Sequence, residues 1–407
     1  MDPQRPKIRS CVEAFPAQDR GRQVLVLHDR LGISPDLILD PSTAVILSLM
    51  DGRRDLRDIQ VTLMRRAGLG LVPLERLQDF VTRLDESLFL DNERFSRRKE
   101  EISLEFQRQG VRLPAHAGSA YPADPGEIRL KLSESFQAAG PARQHPGSIP
   151  AGLVLPHIDL NRGARCYAKG YEALGASIRD VNLFVILGTS HLPMELPFAL
   201  TTKNFQTPLG ELSCEGQLAE RLCEEAETDF FRDELVHRVE HSIEIQLVFL
   251  QHLFGDAPYR FRILPVLCGG FHELIEKRLL PTGHPPTARG LMALGKLIQE
   301  YPGRVCVMAS ADLAHLGPQF GDPAPVQMSD LGRIMREDLE MLEWVQKGNA
   351  DGFFRHIMAQ GDRRRICGLP PIYAWSYLMR GKTVRLIHYD QAYQPHCTVT
   401  FASLGAW

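Results

Sequence analysis

Three histidines stand just beyond apolar runs between residues 152 and 317: His157 in GLVLPHIDLNRG, His191 in VNLFVILGTSHLP and His315 in RVCVMASADLAHLG. Imidazole is both a metal ligand and a group that takes up and releases protons near neutral pH. One such residue behind a strand is ordinarily a hydrogen-bonded structural residue. Three otherwise unlike loops do not each need imidazole for that purpose, whereas a metal or acid-base site needs imidazoles converging from several loops. The recurrence therefore points to one shared rim.

Further groups of the same kind lie close by in sequence. In Glu240-His241-Ser242-Ile243-Glu244, at the start of a helical pattern, His241 and Glu244 are three apart and would share a face. Asp312 and His315 have the same spacing. Such a pair binds metal directly, or its carboxylate orients the imidazole, or it is only a cap or surface ion pair. EHSIE lacks the second histidine of HExxH and does not indicate a zinc protease. Ser190 stands beside His191, but without the nucleophile elbow of a hydrolase. Among the eight cysteines, Cys367 stands out. It follows Arg363, Arg364 and Arg365 and precedes Gly368 and a proline turn, so an electropositive loop is expected to lower its thiol pKa. A soft thiolate beside His157 and His191 suits Fe(II), Cu(I) or Zn(II), and three such ligands leave coordination positions open for oxygen activation or hydrolysis. The candidate ligands are His157, His191 and Cys367; the candidate proton-handling residues are His241, Asp312 and His315.

The elements that must position these residues alternate. Apolar strands are expected at 152–155, 181–187, 262–267 and 304–309, and helices at 164–174, 215–226, from about 240, and 287–299. Continuous apolar runs between helices indicate an α/β domain with a mostly parallel sheet flanked by helices, whose carboxyl-end rim is where ligands bind. Two closing strands, in KTVRLIHYD and HCTVTFASLGA, are expected to pair, in the antiparallel sense if they form a hairpin.

The first hundred residues read differently. Residues 1–20 look like a disordered leader, and 21–95 like a small winged-helix-like α+β domain. In it a strand in RQVLVLHDR precedes three helices. The first opens at Asp40-Pro41 and closes at Gly52, the second stops at Gly68, and the third carries Leu74, Leu77, Val81, Leu84 and Leu88 before a closing strand in LFLDNERF. The charged stretch 96–110 is expected to be a linker helix, and residues 111–407 the second domain, with PARQHPGSIP as a loop before its central stretch.

At 407 residues two or three domains are expected, and a net charge of −3 provides no field for nucleic acid or an anionic membrane. The amino terminus has no signal-peptide core, and no apolar run approaches the roughly 18 residues of a membrane span. Scattered cysteines without a CxxC pair fit a reducing cytoplasm. A homodimer is left open.

Two resemblances appear. DPSTAVILSLMDGRRDLRDI followed by a helix ending in LDESLFL resembles the PqqD-like domain family, which implies recognition of a peptide as an added edge strand. A generic interaction or dimerisation module is the plainer alternative, and a DNA-binding winged helix a third. PAHAGSAYP, LPHIDLNRG, ILGTSH, TPLGEL, EHSIEIQLVFL, SADLAHLG and ICGLPPI occur in the order found in the Memo-like family, also called AmmeMemoRadiSam system protein B. That likeness covers residues 111–407. It implies a class III extradiol dioxygenase-like fold and a pocket lined by His157, His191 and Cys367, with Asp312, His315 and His241 nearby. It further implies iron or copper, oxidoreductase chemistry related to non-haem dioxygenases, and radical SAM or AMMECR1-type partner proteins. A non-catalytic metal- or peptide-binding partner is the other function it suggests. Ile158, Asp159 and Leu160 stand where the family has alanine, glycine and an aromatic residue. Ala120 replaces a family tryptophan and Leu313 an aromatic, so the metal positions persist while wall aromatics are lost.

Overall fold

The computed structural model describes residues 5–65, 72–140, 149–255 and 259–407. The chain forms two compact units, Met1–Arg108 and Gln109–Trp407. Gly68 and residues 141–148, expected as a helix stop and a loop, lie outside the described residues.

In the first unit β1 (Val12–Asp19), β2 (Arg22–Asp29) and β3 (Leu37–Leu39) form an antiparallel sheet in that order. The expected leader is thus a strand from Val12 onward. Its side chains are mostly exposed, so it carries no apolar alternation to read, and its partner is supplied by a two-residue turn. Arg20 and Gly21 both take positive φ, 47° and 78°, which matches the twist of a hairpin. The helices are α1 (Thr43–Leu49), α2 (Leu56–Arg65), α3 (Leu74–Glu86) and α4 (Glu93–Arg108). Leu27, Ile59, Leu63, Leu77 and Leu84 are buried together. Asp40 accepts from the backbone and hydroxyl of Ser42, so α1 starts two residues later than expected. The expected closing strand is reduced to one bridge, Ile8 to Leu90. The charged helix α4 belongs to this unit, because Phe95, Ile102 and Phe106 bury one face of it.

The second unit begins with β4 (Val111–Arg112), α5 (Pro125–Ala139), β5 (Gly152–Leu155), α6 (Leu160–Glu172) and β6 (Leu183–Thr189). β7 (Phe198–Leu200), β8 (Asn204–Thr207), β9 (Gly210–Leu212), α7 (Gly216–Glu225) and α8 (Ser242–Phe254) follow. Then come β10 (Arg262–Cys268), α9 (Phe271–Glu276), α10 (Pro285–Glu300), β11 (Val305–Ser310) and β12 (Asp312–Leu316). The unit ends with α11 (Leu331–Gln346), α12 (Ala350–Ala359), α13 (Leu369–Leu378), β13 (Val384–Ala392) and β14 (Thr398–Ala406).

The large sheet runs β12-β14-β5-β11-β6-β10-β7, with β13 also paired to β14. Its centre, β5-β11-β6-β10, is parallel as the strand-helix alternation predicts, and its flanks are antiparallel. Every residue of β5 and β6 is buried, the expected state of central strands covered on both faces. Leu183, Val185 and Leu187 join the core with residues of α7, α10 and α13, whereas Gly188 lies against Ser242 and Ile243 of α8.

One feature of the topology builds the site. β14 pairs antiparallel with β5 near its own end, Leu404 opposite Val154, and with β12 nearer its start, Phe401 opposite Asp312. The chain leaving β11 therefore crosses the carboxyl end of β5 and continues along β14. Asp312 is delivered to the residues following Leu155. Among the described residues no helix is long and apolar enough to cross a membrane.

Candidate metal centre

His157 follows β5 after Pro156 and is 3 % exposed. Its backbone N–H donates to Asp312 Oδ1 at 2.9 Å, and its Nδ1 lies 3.1 Å from the Ser310 carbonyl. A carbonyl only accepts, so Nδ1 carries the proton and Nε2 keeps its lone pair. Nε2 lies 3.4 Å from Cys367 Sγ. Burial first, then the neighbouring His191 and His241, hold the His157 pKa well below the ordinary histidine value, so the ring stays neutral.

His191 follows β6, and its ring is set by Glu240. The backbone N–H of His191 donates to Glu240 Oε2 at 2.9 Å, and Nδ1 lies 3.1 Å from Oε1. Glu240 also accepts from the backbone N–H groups of His241 and Ser242 at 2.8 and 3.0 Å and pairs with His241 Nδ1 at 3.1 Å. Burial would push this carboxyl up, but the two imidazoles outweigh burial and hold it well below the usual carboxylate range. Burial likewise opposes a charged His241, and the Glu240 carboxylate overcomes it, raising the His241 pKa. The rings of His191 and His241 stack with centroids 4.7 Å apart, and His157 stands edge-on to both.

Two glycines permit these approaches. A Cβ at Gly188 would fall 2.6 Å from Ile243 Cγ1, and one at Gly368 would fall 2.4 Å from the Asp312 carbonyl oxygen. The first lets the end of β6 meet the start of α8; the second lets the Cys367 loop lie on β12.

Candidate ligand atoms of His157, His191 and Cys367 lie within 4.8 Å of one another. His191, Glu240 and His241 form a second group by the same measure. Glu240 already accepts from three backbone amides and faces two imidazoles, so its role in that group is orientation. Two imidazoles with Nδ1 fixed by acceptors and a thiol beside them make a donor set suited to a borderline or soft metal ion. In front lies a cavity of about 430 Å³, walled by His116, Tyr121, Arg162, His241, Asp312 and His315 among others.

The family model described as Memo-like protein matches residues 112–403. The chain belongs to the Memo-like family. It is 30 % identical over 396 residues to a MEMO1 family protein of Aquifex aeolicus, covering 95 % of each chain. It is 28 % identical over 315 residues to one of Thermus thermophilus, covering 77 % of this chain and 87 % of that one. With one of Pyrococcus abyssi the identity is 28 % over 294 residues, 70 % of this chain but 94 % of the relative. The Aquifex match is longer than the second unit and so runs into the first.

In this Memo-like chain the three expected ligands meet, and His241, Asp312 and His315 line the same cavity. His315 lies on strand β12, separated from Asp312 by an irregularity in register, with Nδ1 3.2 Å from the Leu313 carbonyl and its ring edge-on to Phe320. Burial first lowers the His315 pKa, against the charge of Asp312, and burial raises that of Asp312. Ser190 is turned to the Leu192 carbonyl.

Two expectations are corrected. His241 precedes α8 and faces Glu240, whereas Glu244 points away. Glu244 pairs with the fully buried Arg112 and accepts from Tyr121 and from the backbone of Ala115 and His116. Nor is the Cys367 thiol activated by its arginines: burial, with Asp312 nearby, pushes it well above the ordinary cysteine value. Arg363 turns to Glu337, Arg364 to Asp338 and Arg365 to Asp322. Sequence reasoning also passed over Glu240 as an orienting group and Arg112 as its support. Arg112 donates to the carbonyls of His237 and Glu240 at 3.0 and 2.7 Å. The glutamate beside His241 in EHSIE was the available signal.

Proposed function

We propose that the second unit is a mononuclear metal-dependent oxidoreductase related to non-haem dioxygenases, holding Fe(II) or copper on His157, His191 and Cys367. The observation that carries this reading is the convergence of two oriented imidazoles and a thiol, with both imidazoles lining an open cavity. When bound, such an ion supplies Lewis acidity and one-electron chemistry toward dioxygen. The chain's own residues supply the rest. Glu240 favours the protonated form of His241 at the cavity wall, and in that form His241 donates to a developing anion. Asp312 and His315 stand on another wall as proton acceptors. Ile158, Ile245 and Val399 exclude water from part of the volume. The first unit acts in this reading as a PqqD-like module that presents a peptide.

A second reading, a non-catalytic metal- or peptide-binding partner protein of an AmmeMemoRadiSam system, is favoured by the burial that keeps Cys367 protonated, since metal must then displace that proton. Elemental analysis of untagged protein purified without oxygen, together with oxygen uptake, separates the two. Near-stoichiometric iron or copper, lost in His157→Ala and His191→Ala, is expected, with oxygen consumed once a substrate is present. A wild type that stays empty after reconstitution overturns the metal reading. Bound metal that never supports oxygen uptake selects the partner protein.

A further inference from the structure

The cavity in front of the metal ligands carries a group that the metal chemistry does not use. Arg162, in the first turn of α6, is the one arginine or lysine lining it among the described residues. It is held from two sides. Asp159, the cap of α6, accepts from the backbone of Asn161 and Arg162 through Oδ1 and takes the Arg162 Nε–H through Oδ2. The Cys397 sulfur is its other neighbour. The side chain remains 35 % exposed, and no further hydrogen bond joins it to a carboxylate among the described residues. A guanidinium engaged through Nε still presents its two Nη groups as a planar fork, the geometry that binds a carboxylate through two parallel hydrogen bonds. Asp159 therefore aims the fork instead of consuming it.

Ile158, Ile245, Phe320 and Val399 give the cavity an apolar wall, Gln319 adds a neutral amide, and the carboxyls in the lining are Asp159, already engaged with Arg162, and Asp312, engaged with the backbone of His157. A volume of about 430 Å³ is at the small end of ligand sites and suits a single ring or a short chain. An apolar wall, one oriented guanidinium and a cluster of metal-ligating side chains in one cavity require a molecule with three matching parts.

We infer that Arg162 is a specificity-determining residue that docks the carboxylate of a small organic acid with an apolar body, leaving its other end toward His157, His191 and Cys367. The choice of reacting end rests on the metal reading above; the carboxylate dock does not.

The test uses the full chain, metal-free and metal-loaded, titrated calorimetrically with benzoate and with benzamide, which share a shape and differ in charge. Metal content is measured in each sample. Benzoate is expected to bind the metal-free wild type about tenfold more tightly than benzamide, as a charge-assisted hydrogen-bonded pair requires. Arg162→Gln should abolish the difference, and Arg162→Lys should restore only part of it, because a point charge lacks the fork. His191→Ala should lose metal yet keep the preference. Equal binding of the two probes by the wild type, no binding of benzoate, or a preference that survives Arg162→Gln overturns the assignment. A preference present only in metal-loaded protein also overturns it, since the carboxylate is then held by the metal. Failure of the metal reading appears separately, as empty protein that still prefers benzoate. Circular dichroism of both Arg162 variants establishes that they fold.

Discussion

Replacing Glu240 with glutamine keeps the shape of the side chain and removes its charge and half of its accepting capacity. The native carboxylate takes backbone N–H groups from His191, His241 and Ser242 and faces Nδ1 of both histidines. A glutamine NH2 in place of either oxygen meets donors with a donor, so at least one buried N–H loses its partner, at about 1–3 kcal/mol. The larger consequence is at His191. Without a carboxylate on Nδ1 its ring is neither fixed in tautomer nor aimed, and loss of such a partner typically costs 10- to 100-fold in metal affinity, about 1.4–2.7 kcal/mol. Competition against a chromogenic chelator reads this directly, with Zn(II) as a redox-silent probe, thiols kept reduced, and Glu195→Gln on the exposed surface as control. The expected result is weakened Zn(II) binding with a lowered melting temperature but an intact far-ultraviolet spectrum. Affinity within twofold of the wild type in a folded Glu240→Gln variant would refute the claim that Glu240 orients the ligand.

Three further outcomes follow from the surrounding structure. His237 is buried with Nε2 2.9 Å from the Ala199 carbonyl, and burial outweighs that contact to lower its pKa to about 4 from 6.5. The folded state therefore binds this proton more weakly than the unfolded chain. The stability held by neutral His237 is fully present above pH 6.5 and is lost as pH falls toward 4, about 3 kcal/mol in all. Urea unfolding across that window should show the slope in the wild type and a flatter one in His237→Gln; equal slopes would discard the assignment. Arg112→Met leaves Glu244 buried without its cation and is expected to cost about 3–5 kcal/mol, with Arg112→Met/Glu244→Gln recovering part of it, as measured by chemical denaturation. Gly188→Ala drives a methyl into Ile243 and should cost about 1–3 kcal/mol while weakening metal binding, because it separates the His191 loop from Glu240; unchanged metal affinity would show that the loop tolerates the shift.

Much of the second unit was legible because covering a strand on both faces demands an uninterrupted apolar run, and such a run ends visibly where the chain reaches solvent. GLVL and LFVIL announce β5 and β6, and the polar residues after them announce the rim. Helix α5 was legible for a local reason, Asp124 accepting from Gly126 and Glu127. Where the signal was weak, the reading failed. β1 exposes most of its side chains and is defined by its hairpin partner, so twenty residues that look like a leader contain a strand.

The composition of the site divides along the same line. Histidine just beyond β5, β6 and β11 is a property of sequence, although only His157 and His191 stand in loops: His315 lies on β12, the strand that follows β11. Which loops meet, and with what charge, was decided by the tertiary structure. Asp312 reaches His157 only because β12 continues along β14 past the end of β5. Glu240 governs His191 across a gap of 49 residues, through a contact that Gly188 permits. The arginines before Cys367 promise an activated thiol, yet their charges are taken by Glu337, Asp338 and Asp322, and burial sets the proton instead. Adjacency along the chain establishes which chemistry is available; solvation and the partners brought from distant segments determine which protonation state, orientation and reactivity each group takes.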